Sequence, residues 1–342
     1  MWCLGNELDG EQQIGHKTAT EYGRLAAETA RAMRMVDPGL QLVAVGSSAS
    51  TFPTFGHWEA EVLEHTFDVV DYISAHAYYE ELEGDPESFL ASAVDMDRVI
   101  DTVVATADAI ALRRNSPKRI MIAFDEWNVW YREPYWAAGG APKDWRKNPR
   151  LIEDTYSVTD AVVVGSLLIS LLRHADRVTV ACLAQLVNVI APIRSEPGGP
   201  AWKQTTFHPF ALTASFARGT SLRAAVVCGT HPTSLYGQVD DLDLSASHDE
   251  GTGEITVFVV NRMLADSIAL TLTLDLTAFG PVQVIDAVSI QDGDRHAGNT
   301  MRQPDRVVPV SVLDSVSAGA DGTCRVELPP VAWTMLRLRS SS

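Results

Sequence analysis

Two glutamates carry the chemistry this sequence offers. Glu7 stands in Cys3-Leu4-Gly5-Asn6-Glu7-Leu8-Asp9-Gly10, and Glu126 in Ile122-Ala123-Phe124-Asp125-Glu126-Trp127-Asn128. Each follows a short apolar run that reads as a β-strand. A carboxyl at a strand end is often only a helix cap or a solvated loop group. Two of them, each with its own Asn and Trp neighbours, suggest a working pair. Hydrolysis of a glycosidic bond needs such a pair: one carboxyl protonates the leaving oxygen, and the other attacks the anomeric carbon or activates water. The Asn6 amide could hold a sugar hydroxyl, and Trp127 and Trp130 offer flat apolar faces to a sugar ring.

The elements that would position them alternate. Strand-like runs cover Trp2 to Leu4, Leu40 to Val45, Val69 to Ala75, Arg119 to Phe124 and Arg177 to Leu183. Helical patterns cover Thr18 to Met35 (Tyr22, Leu25, Ala26, Ala30 and Met33 recur at helical spacing), Ser88 to Arg113 and Val158 to Leu172. Strand–helix alternation predicts a parallel sheet covered by helices, and in a parallel α/β barrel the C-terminal strand ends build the active site. After about Gly219 a period of two takes over. Ile268, Leu270, Leu272 and Leu274 share one face, opposite Thr271 and Thr273. Ser245 to His248 and Glu254 to Val260 flank the turn-rich Asp249-Glu250-Gly251-Thr252-Gly253, and Arg325 to Leu328 and Ala332 to Leu338 complete an antiparallel sandwich. The expected boundary divides the chain into 1–218 and 219–342.

Composition narrows the partners. The chain has 342 residues, 46% of them hydrophobic, and a formal net charge of −17. That surface repels phosphate backbones, so nucleic acid is an unsuitable partner, while neutral sugar chains are compatible. No apolar stretch approaches the roughly 20 residues of a membrane span; Ala161 to Leu172 reads as a buried helix. Cys3, Cys182, Cys228 and Cys324 are too scattered for a zinc site and read as small hydrophobic residues of a reducing compartment.

Four segments resemble the family 51 α-L-arabinofuranosidases. Gly5 to Gly10 with Gln13-Ile14-Gly15 resembles their acid/base segment. Phe124-Asp125-Glu126-Trp127-Asn128-Val129-Trp130-Tyr131 resembles the nucleophile segment. Ile73-Ser74-Ala75-His76-Ala77-Tyr78-Tyr79 resembles that of strand six. Ala184 to Ile193, followed by Trp202-Lys203-Gln204-Thr205, resembles that of strand eight. The resemblance implies an α/β fold: a partial (β/α)8 TIM barrel of strands four to eight, then an all-β sandwich. It places Met1-Trp2-Cys3 inside strand four, so strands one to three are expected to be missing and the first strand to present an open edge.

The resemblance also implies roles. Glu7 is the general acid/base and Glu126 the nucleophile of a retaining glycosidase that releases terminal arabinofuranose from arabinan- or arabinoxylan-type oligosaccharides. Asn6 binds the hydroxyl beside the anomeric carbon. Tyr78 hydrogen-bonds Glu126, His76 orients the site, and Trp130 and Gln185 line the sugar pocket. A core histidine, a packing aromatic and a strand-tying amide are the bland readings of His76, Tyr78 and Gln185; Asn188 reads as structural. Trp136 and Trp145, in the Pro- and Gly-rich stretch Arg132 to Arg150, suit either an outer sugar subsite or a subunit contact. The retaining mechanism requires carboxyls about 5–5.5 Å apart and a Glu7 that keeps its proton near neutral pH. It needs no metal or organic cofactor. A cytoplasmic homo-oligomer is expected. Another retaining glycosidase, an endoglucanase or xylanase, fits the two carboxylates but not Gln185 to Ile193; a truncated remnant that binds sugar or partner subunits without catalysis fits both.

Overall fold

The computed structural model describes residues 1–140, 147, 149–264 and 269–340. Trp145 and Ile268 lie outside the described residues. The first five strands are β1 (Trp2–Cys3), β2 (Leu42–Ala44), β3 (Tyr72–Tyr79), β4 (Met121–Val129) and β5 (Val178–Leu183). They form one sheet in chain order, and the pairings of β1 with β2, β2 with β3 and β4 with β5 are parallel. The helices, in chain order, are α1 (Ala19–Val36), α2 (His57–Thr66), α3 (Pro86–Leu90), α4 (Ala93–Arg113), α5 (Arg132–Ala137), α6 (Val158–Arg173) and α7 (Phe207–Phe216). The sheet is a partial (β/α)8 barrel, as the alternation predicts.

The chain divides into two compact units. The first comprises 1–78, 95–128 and 174–184; the second comprises 79–94, 129–173 and 185–342. In the first, Leu42, Ala44, Ile73, Ile122 and Phe124 are all at most 1% exposed, against Trp58, Leu63 and Phe67 from and beside α2. Burying each large apolar side chain contributes ~1.5–3 kcal/mol. Tyr22 of α1 stacks on Trp58, with ring centroids 5.6 Å apart, and its hydroxyl accepts the Val45 amide at 2.8 Å. Leu25 does not share that face: it is 51% exposed, and Ala26, Ala27 and Ala30 line the buried stripe instead. A helix laid closely on its neighbours accepts alanines where Leu25 would need more room.

Three other expectations are corrected. The helix read over Ser88 to Arg113 breaks into α3 and α4, and the Ser92 hydroxyl donates to Phe89 O at 2.6 Å at the break, a local bond that competes with the helical ladder. Arg132 to Ala137, read as loop, is helical. Cys3 and Cys182 are exposed; of the four free cysteines, Cys324 is buried in the core and Cys228 packs against it.

In the second unit, β6 (Ile193–Ser195) pairs with β7 (Ala201–Lys203). Then follow β8 (Thr220–Leu222), β9 (Thr230–Thr233), β10 (Gly237–Asp240), β11 (Leu242–Asp249), β12 (Glu254–Asn261), β13 (Leu270–Asp275), β14 (Val282–Ile290), β15 (Val310–Ser311), β16 (Val316–Ala318), β17 (Thr323–Leu328) and β18 (Ala332–Ser340). A six-stranded sheet, β15-β14-β18-β12-β11-β8, and a three-stranded one, β13-β17-β16, share one core. Leu272 and Leu274 point into it while Thr271 and Thr273 are exposed, the alternation a half-buried strand requires. The β11–β12 turn is closed by Asp249, whose Oδ1 accepts the Gly251 amide at 2.9 Å, and by Gly253 at φ 70°. Helix α6 is buried from Val158 to Leu171, and its Gly165 admits the Trp333 indole of β18: a Cβ there would lie 2.1 Å from the ring. Among the described residues no helix is long and apolar enough to cross a membrane.

Candidate active site

Both glutamates belong to the first unit, and each is placed by an irregularity in the backbone. Glu7 follows β1 in a tight loop with φ 48°, and Gly5 before it has φ 140°. A non-glycine residue in the left-handed region costs ~1–3 kcal/mol and persists only where its surroundings hold it. Here Gly10 N donates to Glu7 O at 3.1 Å, and Lys17 N to Leu8 O at 2.8 Å. Asp9 accepts both the Ser48 amide, at 3.0 Å, and the Ser48 hydroxyl. Thr18 and Glu21 then cap α1 reciprocally, so the loop enters a fixed helix.

Glu126 lies within β4, not after it. The sequence puts the strand end at Phe124, but the strand runs on to Val129. Between the pairs Phe124–Ala181 and Trp127–Leu183 the register slips, with one more residue on β4 than on β5. Asp125 and Glu126 occupy that bulge. In a regular strand two successive side chains face opposite ways; a bulge re-aims one of them. Both carboxyls consequently approach one histidine.

That histidine is His76, on β3. It is 5% exposed. Its Nδ1 lies 3.1 Å from Glu7 Oε1 and 3.7 Å from Glu126 Oε2, and its Nε2 lies 3.2 Å from Asp125 Oδ1. Two residues along, on the same face of β3, the Tyr78 hydroxyl donates to Glu126 Oε1 at 2.5 Å. Gln13 Nε2 donates to Glu7 Oε2 at 2.9 Å. Oxygens of Glu7 and Glu126 and a ring nitrogen of His76 all lie within 4.8 Å of one another.

The electrostatics follow from this crowding. Burial disfavours a charge on His76, but contact with Asp125 and with Glu7, and the charge of Glu126, outweigh it and raise the imidazole from 6.5 to about 10. Burial, and then the charge of Glu126, push the Tyr78 phenol upward, so it stays a donor. The carboxylates around the ring thus favour a positive charge on His76.

A family model described as the α-L-arabinofuranosidase C-terminal domain matches residues 125–332. An intracellular exo-α-(1→5)-L-arabinofuranosidase of Streptomyces lividans is 53% identical over 337 residues, which are 98% of this chain and 50% of that protein. An exo-α-(1→6)-L-arabinofuranosidase of Bifidobacterium longum is 48% identical, over 99% of this chain and 66% of its own length. The solved structure of a family 51 α-L-arabinofuranosidase from Bifidobacterium longum superposes with a TM-score of 0.92 at 40% identity, covering 98% of this chain and 66% of that one. This chain belongs to the family 51 α-L-arabinofuranosidases. It spans half to two thirds of the length of these relatives.

The residues that the family motifs single out fall in different places. Glu7, His76, Tyr78 and Glu126 are brought together. Asn6 is exposed beside Glu7. Trp130 and Gln185 belong to the second unit, Trp130 half-buried with its backbone N–H donating to Tyr79 O at 2.9 Å, Gln185 exposed with its backbone N–H donating to Ile190 O at 3.2 Å. Asn188, at φ 64°, accepts the Ser195 amide on Oδ1 at 2.7 Å. Trp127 cannot be a sugar platform: it is fully buried, because alternation along β4 turns it into the core. Trp136 is 61% exposed and packs edge-on against Tyr135 at 4.9 Å. Sequence reasoning missed Asp125 and Gln13 as neighbours of the site, although both stand in the family motifs; only the bulge and the loop closure reveal what they touch.

Proposed function

We propose that this chain is the catalytic part of a retaining glycoside hydrolase that releases terminal α-L-arabinofuranose from arabinan- and arabinoxylan-type oligosaccharides. The observation that carries the reading is the carboxylate pair, Glu7 and Glu126, with oxygens within 4.8 Å of each other. Oxygens that close suit direct attack on the sugar by one of the two carboxylates.

In this reading Glu7 donates a proton to the leaving oxygen while Glu126 attacks the anomeric carbon. A covalent arabinosyl-enzyme forms, and Glu7 then acts as base on a water that displaces Glu126 with net retention. Tyr78 holds the nucleophile oxygen, and Asn6, Trp130 and Gln185 take substrate roles from their motif positions. Residues 1–218 form the catalytic part and 219–342 the accompanying sandwich. No metal or organic cofactor takes part. A cytoplasmic location follows the intracellular relatives, and a homo-oligomer remains the expected assembly.

The test is hydrolysis of 4-nitrophenyl α-L-arabinofuranoside by this chain beside Glu126→Ala, with proton NMR of the first-formed sugar anomer. Nitrophenol release by the parent alone, with the α-anomer formed first, supports the reading. A soluble, folded parent that releases none leaves a sugar- or partner-binding remnant.

A further inference from the structure

Asp125 is the carboxylate at this site that neither step of the proposed reaction uses. Its Oδ1 is buried and has no well-formed hydrogen bond; His76 Nε2 lies 3.2 Å away in ion-pair contact, and the Cys3 thiol also faces the Asp125 carboxylate. The opposite edge of the ring faces Glu7 at 3.1 Å and Glu126 at 3.7 Å. The other titratable groups against this cluster are the Tyr78 phenol and the Cys3 and Cys182 thiols, all pushed upward by burial and then by the neighbouring carboxylates, hence neutral. Among the described residues, one imidazole thus stands among three carboxylates with no other cation in ion-pair contact with them.

We propose that Asp125 is a positioning residue that anchors His76 through Nε2, so that the Nδ1 proton is the store from which Glu7 takes the proton it donates. The inference rests on the retaining-glycosidase reading above. Because the Asp125 charge 3.2 Å from Nε2 favours a proton on that nitrogen, the ring exchanges protons at Nδ1, the nitrogen facing Glu7. In the first step the Nδ1 proton passes to Glu7, which gives it to the leaving oxygen as the glycosidic C–O bond breaks and Glu126 bonds the anomeric carbon. The neutral ring left behind has its lone pair aimed at Glu7. In the second step water bonds the anomeric carbon, the bond to Glu126 breaks, and the proton lost by that water returns through Glu7 to Nδ1. Protons balance over the cycle. The bond from Gln13 to Glu7 Oε2 keeps the carboxyl in register while Oε1 faces the ring.

The experiment is nitrogen-15 NMR of the histidine rings in the full chain, with His76 assigned by its loss in His76→Gln. The expected result is a parent ring still protonated at pH 8. Asp125→Asn should lower its pKa by about one unit or more, with Asp125→Glu restoring most of the shift. A parent ring titrating near its ordinary value, or one unmoved by Asp125→Asn, overturns the proposal whether or not the chain turns over substrate. With turnover, Asp125→Asn should slow alkyl α-L-arabinofuranosides about tenfold more than the 2,4-dinitrophenyl glycoside, whose leaving group needs no acid. It should also pull the alkaline limb of kcat/KM down by about one pH unit. Equal slowing across leaving groups overturns the proposal. A charged His76 in a chain without turnover counts against the glycosidase reading, not against the Asp125–His76 assignment.

Discussion

The Tyr78 hydroxyl donates to Glu126 Oε1 at 2.5 Å from the same face of β3 that carries His76. Strand periodicity puts His76 and Tyr78 two residues apart on one side, so a single strand addresses one carboxylate with a charge and a hydrogen bond. Tyr78→Phe keeps the ring and removes only the donor. A hydrogen bond to a charged group contributes ~1.5–3 kcal/mol, so kcat/KM on an aryl arabinofuranoside should fall by about 10- to 100-fold. The urea midpoint should move little; a large loss of stability with unchanged kinetics would contradict this.

Asp9 ties the Glu7 loop to the segment after β2 through Ser48. Asp9→Ala leaves the Ser48 amide without its acceptor, at a cost of ~1–3 kcal/mol. Hydrogen exchange should accelerate at the Ser48 amide and across residues 5–16, and not at the amides of β17. Unchanged protection around Ser48 would show that the loop is held by other contacts.

On an open helical face Gly→Ala stabilises by ~1 kcal/mol. At Gly165 the sign should reverse, because the new methyl would lie 2.1 Å from the Trp333 indole. Overpacking of this kind costs ~1–3 kcal/mol. Gly165→Ala should therefore lower the thermal midpoint, and pairing it with Trp333→Leu should recover part of the loss.

His208 of α7 has its pKa lowered from 6.5 to about 4, first by burial and then by the nearby Lys203 charge. The unfolded chain therefore takes up a proton there before the folded one does. Its contribution is fully present above pH 6.5 and is lost as the pH falls toward 4. Between pH 7 and pH 5 the parent should lose more stability in urea than His208→Phe does; parallel losses would remove His208 as a source of acid sensitivity.

Much of the architecture was legible because it depends on local period. The two-residue alternation of Leu270, Leu272 and Leu274 and the apolar run of α6 state their burial directly. Helix α2 was not read: Trp58, Val62, Leu63 and Thr66 form its buried stripe, but charged residues interrupt it, and one of them, Glu59, is itself buried, accepting the Ser47 amide at 2.7 Å. Strand β14 was missed for another reason. Its register shifts between Val284 and Asp286, which interrupts the period of two.

The sequence by itself determined the family and singled out the two glutamates beside their strands, since a motif is a property of adjacent residues. The tertiary structure alone decided which groups meet. Whether Asp125 faces His76 depends on an extra residue in β4 relative to β5, and register against a partner strand is not written in either strand. Whether Leu25 or Ala27 is buried depends on how closely α1 approaches its neighbours. The upward pull on the His76 pKa depends on three carboxylates brought in from two distant segments, and proximity in a low-dielectric site, not residue type, sets it.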